Sequence, residues 1–214
     1  LMALPEDKLI TINDRGARVA TTFGSLTSGG ANMVFIKKLT ASSSGTLSFV
    51  DGASSVVLDN TYKEYLFTFK DIHPSATDGT IQFQGSTDSG SNYGVTLTNT
   101  LFRAYHDEGS TATALEYKAT HDLAQSTSFS TLNSGASGND NDQCCAGYLH
   151  IFNPSSTTFV KHFMSNFNSY NSNNYTFQIF TAGYLNTTSA IDAIQFKMDS
   201  GNIDAGDICL YGIL

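Results

Sequence analysis

The sequence contains no tryptophan, few charged residues and no long hydrophobic segment. Charged residues make up 14% of the 214 residues, whereas a typical domain has about a quarter, and Ser, Thr, Asn and Gly supply the polarity instead. A hydrophobic content of 40% and an aromatic content of 12% provide enough core material to exclude a disordered chain. The lack of Trp and of a Cys–Trp–Cys arrangement argues against an immunoglobulin-type sandwich.

Positive charge is also scarce, because the net charge is -8 and only Lys37 and Lys38 are adjacent. Affinity for phosphates comes from Lys and Arg, so we expect no nucleic-acid partner. No apolar run approaches the ~20 residues of a membrane-spanning helix, so we expect no membrane insertion. Residues 1–20 lack the basic start and apolar stretch of a signal peptide, which predicts a chain that does not use the secretory route.

Cysteine is limited to Cys144, Cys145 and Cys209. Adjacent cysteines rarely bridge each other, because the geometry is strained. A bridge from Cys209 to either of the others leaves an odd thiol, which argues against a disulfide framework. We therefore predict three reduced, partly buried thiols.

The sequence is rich in short segments that alternate apolar and polar residues. The clearest segment runs from Tyr65 to Lys70 and places Tyr65, Phe67 and Phe69 on one face. A period of two residues is typical of a half-buried strand. Roughly ten such segments, spaced by about eight to twelve residues, predict an all-β antiparallel β-sandwich, with a jelly-roll-like double sheet as the preferred arrangement.

Three segments carry more specific predictions. The segment from Val95 to His106 is long for one strand, which predicts a bulge or bend near Asn99. The segment 157–167 is predicted to place Phe159, Phe163 and Phe167 on one face. The apolar last strand, 208–214, and the sandwich edges are predicted to favour self-association as a trimer or another symmetric homo-oligomer.

The first 30 residues differ from the rest of the chain and end in a Gly-rich segment. We interpret residues 1–30 as an extended N-terminal arm and residues 31–214 as the β-sandwich domain. A short strand over residues 9–13 suits β-augmentation of a neighbouring subunit. The candidate assembly residues of the arm are Leu9, Ile10, Ile12, Arg15 and Arg18. The alternative is a frayed terminus, or an edge strand with a loop.

No catalytic motif is visible in the sequence. Gly-x-Ser-x-Gly does not occur, the five histidines lack the paired spacing of a zinc site, and acidic residues are scarce in the strand segments. We therefore predict that the protein is not an enzyme and uses no cofactor. A depolymerase with a spatially assembled carboxylate pair is the alternative.

A glycan-binding adhesion module is the second functional hypothesis. Tyr105 is predicted to stack on a sugar and Asp107 to accept hydrogen bonds from its hydroxyl groups, with Tyr93 and Tyr170 as further loop aromatics. The simpler interpretation of residues 102–108 is a strand end with a solvated turn.

A calcium site is a further candidate in the loop 139–142, where Asp140 and Asp142 offer carboxylate oxygens. The loop does not match the EF-hand pattern. The simpler interpretation is a polar loop without an ion.

From about residue 41 to residue 214 the chain resembles a family of small β-rich structural proteins of marine tailed phages. The resemblance depends on the order of several stretches across about four fifths of the chain. These are Ser-Gly-Thr-Leu-Ser-Phe at 44–49, Asp-Asn-Thr-Tyr-Lys-Glu-Tyr-Leu-Phe at 59–67, Asp-Ile-His-Pro-Ser-Ala-Thr-Asp at 71–78, Phe-Arg-Ala-Tyr-His-Asp-Glu at 102–108, Asp-Leu-Ala-Gln-Ser-Thr at 122–127, His-Ile-Phe-Asn-Pro-Ser at 150–155, Thr-Phe-Val-Lys-His-Phe at 158–163, Ala-Ile-Asp-Ala-Ile-Gln-Phe-Lys-Met-Asp-Ser-Gly-Asn-Ile at 190–203 and Tyr-Gly at 211–212.

The resemblance implies a virion component: a tail fibre, an appendage, a head fibre or a capsid decoration protein. We expect the protein to be made in the host cytoplasm and released by lysis, which agrees with the lack of a signal peptide, and to assemble with further copies of itself and with other virion proteins. A cell-surface glycan is a further expected partner if the protein is a receptor-binding fibre. The family supplies no catalytic residues to carry over. The first 40 residues fall outside the resemblance, although an arm of about 30 residues has an extended reach of ~100 Å.

Overall fold

The computed structural model describes residues 32–214, together with residues 11–12 and 18–19 of the N-terminal segment. Strands β1 (Thr11–Ile12) and β2 (Arg18–Val19) form an antiparallel pair in which Ile12 lies opposite Arg18. The other predicted arm residues, Leu9, Ile10 and Arg15, lie outside the described residues. Residues Met33–Leu214 form a compact unit of their own.

Thirteen strands and one 3₁₀ helix, Ala119–His121, make up residues 33–214. The strands are β3 (Met33–Thr40), β4 (Leu47–Val50), β5 (Glu64–Pro74), β6 (Ile81–Ser86), β7 (Leu97–Asp107), β8 (Thr113–Tyr117), β9 (Leu123–Ser126), β10 (Ser130–Thr131), β11 (Cys145–Phe152), β12 (Lys161–Tyr170), β13 (Tyr175–Leu185), β14 (Ala193–Met198) and β15 (Ile203–Ile213). In the described part of the chain, no helix has the length and apolar character needed to cross a membrane.

The strands of this unit form a large and a small sheet. The order in the large sheet is β3-β15-β5-β11-β12-β13-β7-β8, and β9 pairs with the remaining length of β7. The order in the small sheet is β10-β6-β14-β4. Every ladder between these strands is antiparallel. The prediction of an all-β, antiparallel sandwich is thereby confirmed.

Phenylalanine side chains join the two sheets. Phe196 of the small sheet lies edge-on to Phe67 and Phe69 of the large sheet, with ring centroids 5.2 Å and 5.0 Å apart. Phe83 meets Phe163 in the same way at 4.9 Å. Edge-to-face pairs add about 0.5–1.5 kcal/mol each beyond the burial of their area. The residues on the inward faces of these strands form the core, as the two-residue alternation of apolar and polar residues predicts.

One expectation is corrected by the structure. Phe159 is 69% exposed and precedes β12, so only Phe163 and Phe167 of the predicted trio enter the core. The predicted irregularity near Asn99 is confirmed, because β7 runs as one strand and its pairing with β9 shifts register between Leu97 and Asn99. The C-terminal strand β15 lies between β3 and β5. Both of its backbone edges are hydrogen-bonded within the sheet, so β15 offers neighbours a face and not an edge.

Candidate functional site

A cleft of about 410 Å³ lies at one end of the large sheet, on the side that faces the small sheet. The small sheet has fewer strands than the large sheet, so it leaves the ends of β7, β8 and β13 uncovered. The residues that line the cleft are Arg103, Tyr105, Glu116, Asn171, Asn173, Tyr175 and Phe177. Its volume is within the ~300–1,000 Å³ of small-molecule sites.

Strand register brings the cleft residues together. Tyr105 of β7 lies opposite Phe177 of β13, and Arg103 lies opposite Glu116 of β8. Because side chains alternate between the two faces of a strand, Arg103 and Tyr105 share one face, as do Tyr175 and Phe177. Tyr105 meets Tyr175 edge-on, with ring centroids 5.7 Å apart.

Arg103 is held at the base of the cleft by partners within the protein. Its Nε donates a hydrogen bond of 2.6 Å to Glu116 Oε1, and its Nη1 donates to the carbonyl oxygen of Ser134. Its guanidinium carbon lies 4.7 Å from the ring centroid of Phe177, in cation–π contact. The charge of Arg103 is therefore compensated inside the cleft.

The loop between β12 and β13 forms one wall of the cleft and is tied down by Asn171. The side-chain Oδ1 of Asn171 accepts hydrogen bonds of 3.1 Å from the backbone N–H groups of Asn173 and Tyr175. The buried Gln143 donates from Nε2 to the carbonyl oxygen of Asn171 at 3.2 Å. These bonds fix the backbone that presents Asn173 and Tyr175 to the cleft.

The loop that follows β10 packs against Phe177, which lines the cleft. Gly135 of this loop packs on Phe177 so closely that a Cβ atom at position 135 would lie 2.4 Å from the ring. Only glycine permits this approach. The loop therefore covers one side of Phe177 while Arg103 covers its face.

The structure separates the four residues predicted to bind glycan. Tyr105 lines the cleft, whereas Tyr170 points to the opposite face of the sheet, where its hydroxyl donates to Asn174 Oδ1 at 2.9 Å. Tyr93 precedes β7, whose first residue, Leu97, lies eight residues and about 27 Å from Tyr105 at 3.4 Å per residue. These three tyrosines do not form one site.

Asp107, the fourth predicted residue, closes the hairpin between β7 and β8. Its carboxylate accepts hydrogen bonds from the backbone N–H groups of Thr111 at 2.8 Å and Ala112 at 2.7 Å, and from the Thr111 hydroxyl at 2.5 Å. These bonds, that of the Thr111 side chain first, lower the pKa of Asp107 below its usual value. The structure places this carboxylate in the turn and outside the lining of the cleft.

Asp140 and Asp142, the candidate calcium ligands, are exposed in the loop that precedes β11. The carbonyl oxygen of Asp140 accepts a hydrogen bond of 2.9 Å from the backbone N–H of Gln143. Over the residues described, no three His, Cys, Asp or Glu side chains are grouped closely enough to hold a metal ion.

Sequence reasoning missed most of the cleft. Alternation within residues 102–108 places Arg103, Tyr105 and Asp107 on one face. An arginine on a face that is otherwise buried could have indicated a polar site at this end of the strand. The contribution of β13, from Tyr175 and Phe177, depends on strand pairing that no local pattern reveals.

A second surface feature is the outer face of the large sheet, which the small sheet does not touch. Of the ten large hydrophobic side chains that are exposed in the described part of the chain, eight lie on this face. They are Met33, Phe35, Phe102, Leu115, Tyr117, Tyr148, Met164 and Phe180. They are distributed over six strands, β3, β7, β8, β11, β12 and β13, and exposed apolar side chains concentrated on one face indicate a candidate interaction surface.

Both lysines of the outer face lie beside carboxylates. The ammonium group of Lys38 lies 3.3 Å from Asp207, which also accepts a 2.6 Å hydrogen bond from the hydroxyl of Thr40, and the ammonium group of Lys70 lies 3.6 Å from Asp71. His150 Nε2 lies 3.1 Å from Glu64 Oε2, a contact that pairs two charges only when His150 is protonated. An approaching copy of the chain would therefore meet few uncompensated charges on this face, although the chain carries a net charge of -8.

Known proteins give no further assignment for either feature. No protein-family model matches this chain, and no curated protein or solved structure is similar to it at a significant level. The resemblance to phage structural proteins therefore stays a prediction from the sequence.

Proposed function

We propose that the protein is a structural component of a bacteriophage particle: a surface β-sandwich, without catalytic activity, that assembles with further copies of itself. The jelly-roll-like arrangement, the extended N-terminal arm and the docking of that arm to other virion proteins belong to this proposal. The support from the sequence is the resemblance, together with a polar surface built from uncharged residues.

The observation that carries the proposal is the apolar outer face of the large sheet. Eight strands about 4.8 Å apart, with an average length of about nine residues at 3.3 Å per residue, give a face on the order of 1,000 Å², enough to supply the ~800 Å² that one partner contributes to a standard interface. A second copy of the chain is the occupant that we assign to it, because the Lys38–Asp207 and Lys70–Asp71 pairs leave little charge on this face to repel a like copy.

Purified particles of the phage that encodes the chain test the proposal. Mass spectrometry of particles banded in a density gradient should find the protein in a fixed number of copies per particle. A protein that remains in the lysate supernatant while known coat and tail proteins sediment contradicts the proposal. Particles from a phage that lacks the gene are the matched control.

A further inference from the structure

We propose that the cleft formed by Tyr105, Glu116, Asn173 and Tyr175 is a binding site for a neutral saccharide. The inference rests on the geometry of the cleft alone. It holds whether or not the chain is part of a phage particle, and the two proposals can fail separately.

The charges of the cleft favour a neutral ligand. The lining of the cleft carries one charge of each sign, Arg103 and Glu116, and the two side chains pair at 2.6 Å. An arginine that binds phosphate or carboxylate needs its planar N–H groups free for the anion. Here Nε and Nη1 of Arg103 already donate to Glu116 and to the Ser134 carbonyl.

Hydrogen-bonding groups of the cleft remain available to a ligand. In residues 32–214, the hydroxyls of Tyr105 and Tyr175 and the side-chain amide of Asn173 make no hydrogen bond within the protein. Tyrosine hydroxyls and asparagine amides both donate and accept. Sugar hydroxyls also do both, so these groups match a polyhydroxylated ligand better than they match an apolar one.

The aromatic rings of the cleft offer the apolar surface that a sugar ring packs against. Tyr105 and Tyr175 stand edge-on to each other and are neighbours of Phe177, with centroid distances of 5.4 Å and 5.9 Å to its ring. Pyranose rings have a face of C–H groups that packs on aromatic surface, while the hydroxyl groups project outward from the ring edge. A cleft with partly exposed tyrosines beside polar amides has both kinds of surface.

The cleft is also held in its shape before any ligand arrives. Asn171 and Gln143 fix the wall that carries Asn173, and the close approach of Gly135 to Phe177 fixes the floor. A fixed site loses less conformational entropy on binding than a mobile loop does. This favours measurable affinity from a small contact area.

The test is binding of neutral hexasaccharides of β-linked glucose, galactose, mannose and N-acetylglucosamine to the full chain, followed by isothermal titration calorimetry and saturation-transfer NMR. We expect at least one of them to bind with a Kd of about 10 μM to 1 mM. A hexasaccharide of uronic acids is the charged probe, and we expect it to bind more weakly. No binding of any neutral probe at 5 mM, or preferred binding of the uronic acid probe, overturns the proposal.

Two conservative variants locate the site. Asn173→Ala removes an exposed amide, and Tyr175→Phe removes a hydroxyl while it retains the ring packing; each should weaken binding by roughly 5–10-fold, the value of one hydrogen bond. Asn60→Ala is the matched control, because Asn60 is exposed before β5 at the opposite end of the large sheet. Equal loss of affinity in the control, or no loss in both cleft variants, places the binding elsewhere and contradicts the proposal.

Discussion

Phe102 and Phe180 lie opposite each other on β7 and β13, and their rings stack on the outer face with centroids 5.1 Å apart and an angle of 13° between the planes. Both side chains remain exposed, at 46% and 38%. A stacked aromatic pair on open sheet surface stabilises the sheet only modestly. Its position among other exposed apolar residues is better explained by contact with another protein surface.

Cysteine labelling reports on that contact. Cys209 lies on the outer face between Thr68 and Lys38, on the cross-strand row that also contains Phe180. If a second copy covers this face, a maleimide should label Cys209 several-fold more slowly in the wild-type assembly than in a Phe180→Glu variant. Equal labelling rates would contradict burial of the face.

Cys145 is the internal control of the same experiment. It is 1% exposed, and burial raises the pKa of its thiol to about 12. Because the thiolate is the reactive form, Cys145 should stay unlabelled in both native proteins and react only after unfolding. Tandem mass spectrometry has to assign the label to the residue, because Cys144 is partly exposed and adjacent to Cys145 in the same peptide.

Acid should weaken the loop between β6 and β7 through Asp88. Hydrogen bonds from Asn92 first, then Ser86, lower the pKa of this carboxylate from 3.8 to about 2. A depressed pKa contributes stability that is fully present above about pH 4 and lost as the pH falls through about 2. The denaturation midpoint of Asp88→Asn should therefore depend less on pH between 4 and 2 than that of the wild type.

The matched control for this prediction is Asp140→Asn, because the Asp140 carboxylate accepts no hydrogen bond in the described structure. Its acid profile should follow that of the wild type. Identical profiles for all three proteins would show that Asp88 does not contribute to the acid response.

Lys161 is a fully buried cation on β12, and its Nζ donates a 2.9 Å hydrogen bond to the carbonyl oxygen of Thr187. Burial lowers the pKa of this lysine below 10.5. The unfolded chain then binds the proton more tightly than the folded chain, so this group adds stability as the pH rises toward 10.5. Replacement by methionine, Lys161→Met, should raise the free energy of unfolding at pH 7, and the gain should shrink near pH 10.

Lys161→Ala separates packing from charge at the same position. It removes the same charge but leaves a cavity, which costs about 2–4 kcal/mol for a long buried side chain. Urea denaturation at pH 7 should rank the proteins as methionine variant, wild type and alanine variant, in decreasing stability. A methionine variant less stable than the wild type would show that the hydrogen bond to Thr187 outweighs the cost of burying the charge.

Phe196 packs against aromatic residues of both sheets. It contacts Phe49, Phe67 and Phe69, and is fully buried. Phe196→Ala should lower the free energy of unfolding by about 3–5 kcal/mol, from lost transfer energy and a residual cavity. Phe159→Ala, at a phenylalanine that is 69% exposed, should change it by less than about 0.5 kcal/mol.

The fold class could be predicted from the alternation of apolar and polar residues wherever one face of a strand is buried and the other is polar. Strand β5 is such a case, with Tyr65, Phe67 and Phe69 inward as predicted. Alternation is a weaker signal where the outer face is also apolar, as at Met164 and Phe180. Strands as short as β10, with two residues, leave no periodic signal at all.

The candidate site was predictable only in part, because it depends on pairing between distant segments. Tyr105 was identified from its own surroundings in the sequence, but Tyr175 reaches it only through the register of β7 and β13. Asp107 illustrates the opposite error. A carboxylate near an aromatic residue suggested ligand binding, whereas local backbone N–H groups are its partners.

The mass of the full chain in solution tests the central claim, assembly through the outer face, most directly. Light scattering coupled to size-exclusion chromatography should show a defined oligomer for the wild type and a monomer for Phe180→Glu, because a buried, unpaired carboxylate disfavours the interface. Phe159→Glu places the same charge on an exposed phenylalanine outside the sheet, and it should retain the oligomer. A monomeric wild type, or an oligomer that survives Phe180→Glu unchanged, would contradict the account.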